Sequence, residues 1–256
     1  TKMTQNSTIP GTLGQAEDAS GQAGARLATA GYEPGHLPLP DRVVIGKLHV
    51  LYATTIATVH VLALLAVIPW LFSWTSLLLM IVGIHLFGQG INLCYHRQLC
   101  HRSFKTPRWL DRFFVVIALC CLEDTPACWV ACHRYHHDNS DEQEDPHSPL
   151  VTFLWGHIGW LIFRNPNTQN IEVYQKFAKD VLDDPFYMKL EKNSFLMLWI
   201  FLGQVALFYL AGGLVGYLWS GGLWIETLRM ALSFVGIGRL LLAVLVAVGM
   251  YVGAVQ

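Results

Sequence analysis

Five histidines stand in two compact groups near the middle of the chain: His96 and His101 in HRQLCHRSF, then His133, His136 and His137 in HRYHHDNSDEQEDPH. Neutral imidazole is the commonest side-chain metal ligand. A lone histidine is more often a surface or hydrogen-bonded core residue, but two tight groups between apolar flanks point to a metal site. His133, His136 and His137 are spaced i, i+3 and i+4, so one face of an α-helix presents all three imidazoles to one or two ions. His96 and His101 are five apart, which in an ideal helix separates them by about 140°. Their convergence requires a helix end or a bulge. Imidazole suits iron, zinc, copper and nickel, so ligand type leaves the metal open.

The remaining histidines carry less. His147, in DPHSP, reads equally as a ligand or as a turn residue beside Pro146. His157, in WGHIGW, reads as structural or substrate-facing, and the solitary His36, His49, His60 and His85 are not read as ligands. The acidic run from Asp138 to Asp145 reads either as a source of acceptors for ligand imidazole N–H groups or as a solvated loop.

The elements that position these groups belong in a membrane. The chain has 256 residues, of which 53% are hydrophobic and only 14% charged, with a formal charge of -1. That composition is more apolar than an average soluble domain. The near-neutral charge and the absence of basic residues among the aromatic runs exclude nucleic acid as a partner. The six cysteines have no CxxC spacing and sit in or beside the histidine region, which excludes a secreted disulfide framework and fits reduced thiols facing the cytosol.

Residues 1–40, rich in Gly, Ala, Ser, Thr and Gln without a sustained apolar period, read as a flexible tail without the pattern of a secretory signal. The DRVVIGK that follows reads as interfacial. Roughly 20 apolar residues span a hydrocarbon core. Residues 49–72 and 75–95 meet that length, joined by PWLFSW, and residues 194–218 and 225–253 form a second pair joined by SGGLW. Each pair predicts a helical hairpin. Residues 107–122 are apolar but short and begin with charges, which predicts a buried or interfacial helix. The expected fold is therefore all-α: four transmembrane helices in two hairpins, under a helical cap that carries the histidines. Of the 17 Lys and Arg, 11 lie between residues 96 and 193, four precede the first hairpin, and neither hairpin tip carries any. The positive-inside rule then places the tail and the histidine region in the cytosol.

The words around the histidines are more specific than their spacing. HRQLCHRSF, HRYHH, DEQEDPHSPL and FLWGHIGWL resemble the membrane fatty acyl desaturases, in particular the delta-9 acyl-CoA desaturase-like branch of bacteria and plants, from about Asp41 to about Phe234. The resemblance implies an oxidoreductase that uses dioxygen, two electrons and two irons to place a cis double bond in a fatty acyl chain. It implies that His96, His101, His133, His136 and His137 are iron ligands, with no catalytic residue beyond the metal ligands. Its substrate would be an acyl-CoA or acyl-lipid in contact with membrane lipid. An apolar tunnel would set the bond position, with the second helix, Trp129 and Trp155 as candidate walls. No haem segment of the cytochrome b5 type and no dinucleotide-binding glycine motif is present, since Gly88-Gln89-Gly90 lies inside an apolar helix. The expected electron source is a separate protein such as a cytochrome b5, ferredoxin or rubredoxin with its reductase.

Family members carry further ligands after the fourth membrane helix, namely an isolated histidine near Asn-Ser and a third box HNxHH. No histidine follows His157 here. Residues 41–256 are therefore expected to be a desaturase domain that is C-terminally incomplete, through truncation, a frameshift or divergence. Weak or absent double-bond formation is expected of the chain as written. A membrane di-iron hydroxylase on the same scaffold and a non-enzymatic membrane metal-binding protein remain as alternatives.

Overall fold

In the computed structural model, residues 37–245 are described apart from 141, 169 and 194. His36 and the expected tail up to residue 36 lie outside them, as does the end of the last apolar stretch after residue 245. Among the described residues four helices are long and apolar enough to cross a membrane: Val50–Val67, Trp74–Cys100, Phe195–Ser220 and Trp224–Leu245. The expected hairpins and the mainly helical fold are present.

The first hairpin follows from local chemistry. Helix α1, Val50–Ala63, tightens into a 3₁₀ turn over Leu64–Val67, and Ile68 becomes extended before Pro69, which cannot continue a helix. Ser73 then caps helix α2, Trp74–Gln89, by accepting a hydrogen bond from the Ser76 N–H at 3.2 Å. Beyond Gln89 the same helix runs on as a π-helical segment, Gly90–Cys100. A helix of 27 residues is about 40 Å long against a hydrocarbon core of about 30 Å, so one end must stand out of the apolar layer. The end with the first two histidines is the polar one.

Helix α3, Arg108–Leu119, is the expected short helix. Val115, Ile117, Ala118 and Leu119 face inward while Trp109, Phe113 and Val116 remain exposed. It packs tightly on the π segment at Gly90, where a Cβ would lie 2.7 Å from Ile117 and 2.9 Å from the Ala118 backbone nitrogen. Helix α4, Pro126–Asp138, runs through the cap, with Thr125 as N-cap and Pro126 in the first turn. Helices α5 (Ile171–Phe177), α6 (Lys179–Leu182) and α7 (Pro185–Lys192) surround it. The cap core joins Ile91 and Tyr95 of the π segment, Leu119 of α3, Val130 of α4, Phe177 and Tyr187.

The second hairpin is α8, Phe195–Ser220, and α9, Trp224–Ser233, continued as a π segment over Phe234–Leu241. Small residues let these helices touch at backbone level: a Cβ on Gly212 or Gly216 would lie 2.5 Å from the Met230 or Glu226 carbonyl oxygen. Ser76 and Ser233 share a buried hydroxyl contact of 2.6 Å between the two hairpins. The fully buried Arg239 donates to Gln204 Oε1 at 2.9 Å and to the Cys120 carbonyl, and sits over the Phe201 ring. These bonds engage Nε and Nη2 of the guanidinium, while Nη1 has no hydrogen-bond partner among the described residues.

One departure from an all-helical reading is a two-stranded antiparallel pairing. Strand β1, Val44–Leu48, pairs with β2, Phe163–Arg164, through Val44↔Arg164 and Leu48↔Phe163. β-Branched Val44 and Ile45 favour extension, and Gly46 at φ 92° supplies a conformation open to glycine. Part of the segment read as tail is also packed: Leu37 N–H donates to the Leu150 carbonyl at 2.9 Å, and Pro40 is buried.

Candidate metal centre

The π segment resolves the five-residue spacing. Its backbone bonds run i+5 to i, and the His101 N–H donates to the His96 carbonyl at 2.9 Å. Residues five apart then lie on one face. The two imidazoles meet with Nε2 atoms 3.0 Å apart. On α4 the i, i+4 pair does the same, with His133 and His137 Nε2 atoms 3.1 Å apart. The two pairs face each other, so that one ligand atom from each of His96, His101, His133 and His137 lies within 4.8 Å of the others.

His136 does not join that group. Its Nδ1 donates to Asp145 at 2.9 Å, and it stands with Asp145 and His147 in a second group of donors within 4.8 Å of one another. The His136 and His147 rings stack at 4.4 Å, and Asp145 is only 2% exposed. The groups adjoin, since the His136 ring centre is 5.5 Å from that of His137 and 5.9 Å from that of His133. His147 is thus the residue that the motif reading left between ligand and turn, and its place beside His136 comes from the DPH turn folding back on α4. That turn is held in part by the His147 N–H donating to Asp145 at 3.1 Å.

Arg134, inside the second motif, ties the two histidine segments together. It donates to the Leu99 carbonyl at 2.7 Å, to the Cys100 carbonyl at 3.1 and 3.2 Å and to the Phe177 carbonyl at 2.6 Å, and it pairs with Asp180 at 2.7 Å. The Leu99 and Cys100 carbonyls end the π segment and that of Phe177 ends α5, positions where a helix leaves its carbonyls without a helical partner. Sequence reasoning passed over this arginine. Its one legible signal was its place between His133 and His136.

Burial tunes the imidazoles. His133 is pushed down to about 2, first by enclosure and then by His96, His137 and His136 around it. His147 falls to about 4, again chiefly by burial and then by His136, with Asp145 pulling the other way. His137 is lowered for the same first reason. Such rings are neutral at ordinary pH and keep a lone pair for a metal. Trp129 covers one face of His133, stacked at 4.6 Å, and so lies beside the centre. Trp155 instead is buried against Phe163, stacked at 6.4 Å. Of the solitary histidines, His49, His60 and His85 stay outside both groups: Nδ1 of His60 and of His85 contacts the Ile56 and Ile81 carbonyls of its own helix, and His49 stacks on Tyr52.

A family model described as fatty acid desaturase matches residues 68–253. The chain belongs to the fatty acid desaturase family. It is 41% identical over 170 residues to the sn-1 stearoyl-lipid 9-desaturase of Anabaena variabilis, covering 64% of this chain and 57% of that protein. It is 36% identical over 171 residues to Delta-9 acyl-lipid desaturase 2 of Arabidopsis thaliana, covering 64% and 52%. It is 36% identical over 173 residues to the acyl-CoA C20 Delta5-desaturase of Anemone leveillei, covering 67% and 53%. The chain spans about half the length of these curated relatives. The relatives are named for both lipid-linked and CoA-linked acyl chains, so desaturase likeness alone leaves the carrier open.

The donor set of this desaturase-family chain fits a transition metal that favours nitrogen. Ligands about 2.1 Å from an imidazole-bound ion lie about 3.0 Å apart when at right angles. The two Nε2 pairs, at 3.0 and 3.1 Å, have that spacing. An N–H···N bond could join either pair alone, but the meeting of both pairs within 4.8 Å is the arrangement a shared ion would hold.

Proposed function

We propose that this chain carries the metal-binding part of a di-iron desaturase that inserts a cis double bond into a fatty acyl chain, borne by a lipid or by coenzyme A. The observation that carries the reading is the convergence of His96, His101, His133 and His137 from two separate segments on one point, with His136 and His147 beside it. His96, His101, His133 and His137 would hold one iron. His136 would hold the other, with His147 at its side and Asp145 as the acceptor that fixes its tautomer. The chemistry that bound iron supplies is reductive activation of dioxygen.

The overall change balances: two vicinal C–H hydrogens leave the chain, and with two electrons and two protons they reduce one O2 to two waters. The protein's own residues orient and exclude. Asp145 keeps the proton of His136 on Nδ1, which leaves Nε2 free as a ligand. Trp129 shields His133 from water. Arg134 holds the end of the π segment, and with it His101, in register with α4. Electrons would come from a separate cytochrome b5-, ferredoxin- or rubredoxin-like protein with its reductase. By charge placement the centre would face the cytosol.

Product analysis tests the reading. Membranes holding the protein receive a saturated acyl-lipid or acyl-CoA deuterated along the chain, oxygen, and a reduced donor, with His133→Ala as control. The expected product, in the low yield expected of the chain as written, is a cis alkene that has lost two deuteriums. An alcohol instead would assign a hydroxylase, and purified protein that holds a metal other than iron and gives no product would leave a non-enzymatic metal-binding role. Labelling of Asn170→Cys from the outer side alone would overturn the orientation.

A further inference from the structure

All five residues of β1 are exposed, although three are large aliphatics, with Ile45 67% and Leu48 46% accessible. Beside them lies a second exposed apolar stretch, Leu150, Phe153 and Leu154, the last 68% accessible. The two stretches form one surface. The Leu37 N–H bonds to the Leu150 carbonyl, Trp155 stacks on Phe163 of β2, Phe163 pairs with Leu48, and the His49 N–H donates to the Ile162 carbonyl at 2.8 Å. A strand with both faces bare would be an aggregation hazard in water.

We propose that this surface is a second membrane contact: β1 and the Leu150–Leu154 turn lie in the headgroup and upper acyl layer of the leaflet from which the first span rises. Two observations name a bilayer as the occupant. The first is continuity. Only His49 separates β1 from Val50, where the first span begins, and Val50 and Leu51 are exposed as part of the same apolar face. A strand of five residues reaches about 17 Å, so β1 cannot leave the interfacial zone. The second is charge. Arg42, Lys47 and Arg164 are exposed on the two strands and at their edge, where long basic side chains extend to lipid phosphates while the aliphatics stay below.

The contact bears on the centre. The turn that carries Phe153 and Leu154 leads through the π-helical Trp155–Gly159 to Trp160, whose ring lies 5.1 Å from that of His147. Seating this turn in the leaflet fixes the height of the second donor group above the lipid. The proposal rests on the membrane spans and this surface and needs no metal, so its failure would leave the desaturase reading standing.

Spin labelling of the full chain in bilayer discs of phosphatidylcholine and phosphatidylglycerol decides it. Nitroxides go on Ile45→Cys, Leu154→Cys and, as an aqueous control, Glu172→Cys, with labelling of the parent's own cysteines subtracted. The ratio of collisions with oxygen to collisions with a water-soluble nickel chelate should be several-fold higher at 45 and 154 than at 172. The corresponding depth is about 5–10 Å into the headgroup and acyl boundary. Nickel access at 45 and 154 equal to that at 172 would overturn the proposal. So would protection from both reagents, which would mean that another protein segment or a second copy covers the surface. The unsubstituted chain gives a second reading. A photoactivatable lipid with its diazirine high in the acyl chain should crosslink within 44–48 and 150–154, and crosslinks confined to the spans would refute the contact.

Discussion

The two donor groups are built by different means. His96, His101, His133 and His137 are carried by two helical segments pressed together, and within the group there is no carboxylate. His136 and His147 come from a helix and a turn, and one buried carboxylate stands between them. The first group therefore depends on the register of two helices. The second depends on the hydrogen bonds of Asp145. Exposure follows the same division, since His101 and His137 leave the first group open on one side while Asp145 is sealed.

The largest expected effect is at the centre of the first group. The His133 ring is in contact with those of His96, His101, His136, His137 and Trp129. His133→Ala should remove at least half of the bound iron and all measurable product, by metal analysis and product assay on the purified protein. Unchanged iron would break the claim that the first group holds one of the irons. Next comes Arg134→Lys. An ammonium cannot reproduce the guanidinium fork that serves three carbonyls and Asp180. Each buried carbonyl left without a donor costs roughly 1–3 kcal/mol. Thermal unfolding should fall accordingly, and iron should be lost from the first group before the second.

Asp145→Asn should act the other way round. The amide still accepts a hydrogen bond but no longer polarises the His136 imidazole, and loss of such an outer partner typically weakens metal binding by about 10–100-fold. Mössbauer spectra of iron-loaded protein should show one of two iron environments depleted while the other is kept. Equal depletion of both would mean that the groups are a single site.

Much of this division was legible in the sequence, for identifiable reasons. Helix periodicity placed His133 and His137 on one face, and apolar run length placed the four spans. The helix break demanded by His96 and His101 was readable from their spacing, but its form was not. A π segment is set by tertiary packing at Gly90 and by the Arg134 bonds at its end, which no local pattern encodes. The i+3 rule grouped His136 with its neighbours, whereas Asp145, nine residues on, draws it into the second group. That pull depends on how the acidic loop folds back, and so does the arrival of His147. The β1–β2 pairing was missed because its second strand has only two residues.

The smallest effect expected concerns the surroundings of the first group. Glu123 accepts a hydrogen bond from the Trp129 side chain, whose ring covers His133, and its Oε1 has no partner among the described residues. Burial pushes this carboxyl up from 4.5 to about 7, against the opposing pull of the Trp129 bond. A carboxyl whose folded value is raised holds its proton longer in the folded state than in the unfolded one. The folded protein then binds more protons between about pH 4.5 and 7, and stability falls as pH rises through that window. Across the whole window the loss is on the order of 3 kcal/mol, at 1.36 kcal/mol per pKa unit. Glu123→Gln keeps an acceptor for Trp129 and removes the charge. Unfolding followed in detergent should therefore match the parent at pH 5 and exceed it at pH 8, with iron content unchanged at both. If the variant and the parent kept the same pH dependence, the carboxyl would not be buried as a neutral acid, and the Trp129 shield over His133 would have to be anchored elsewhere.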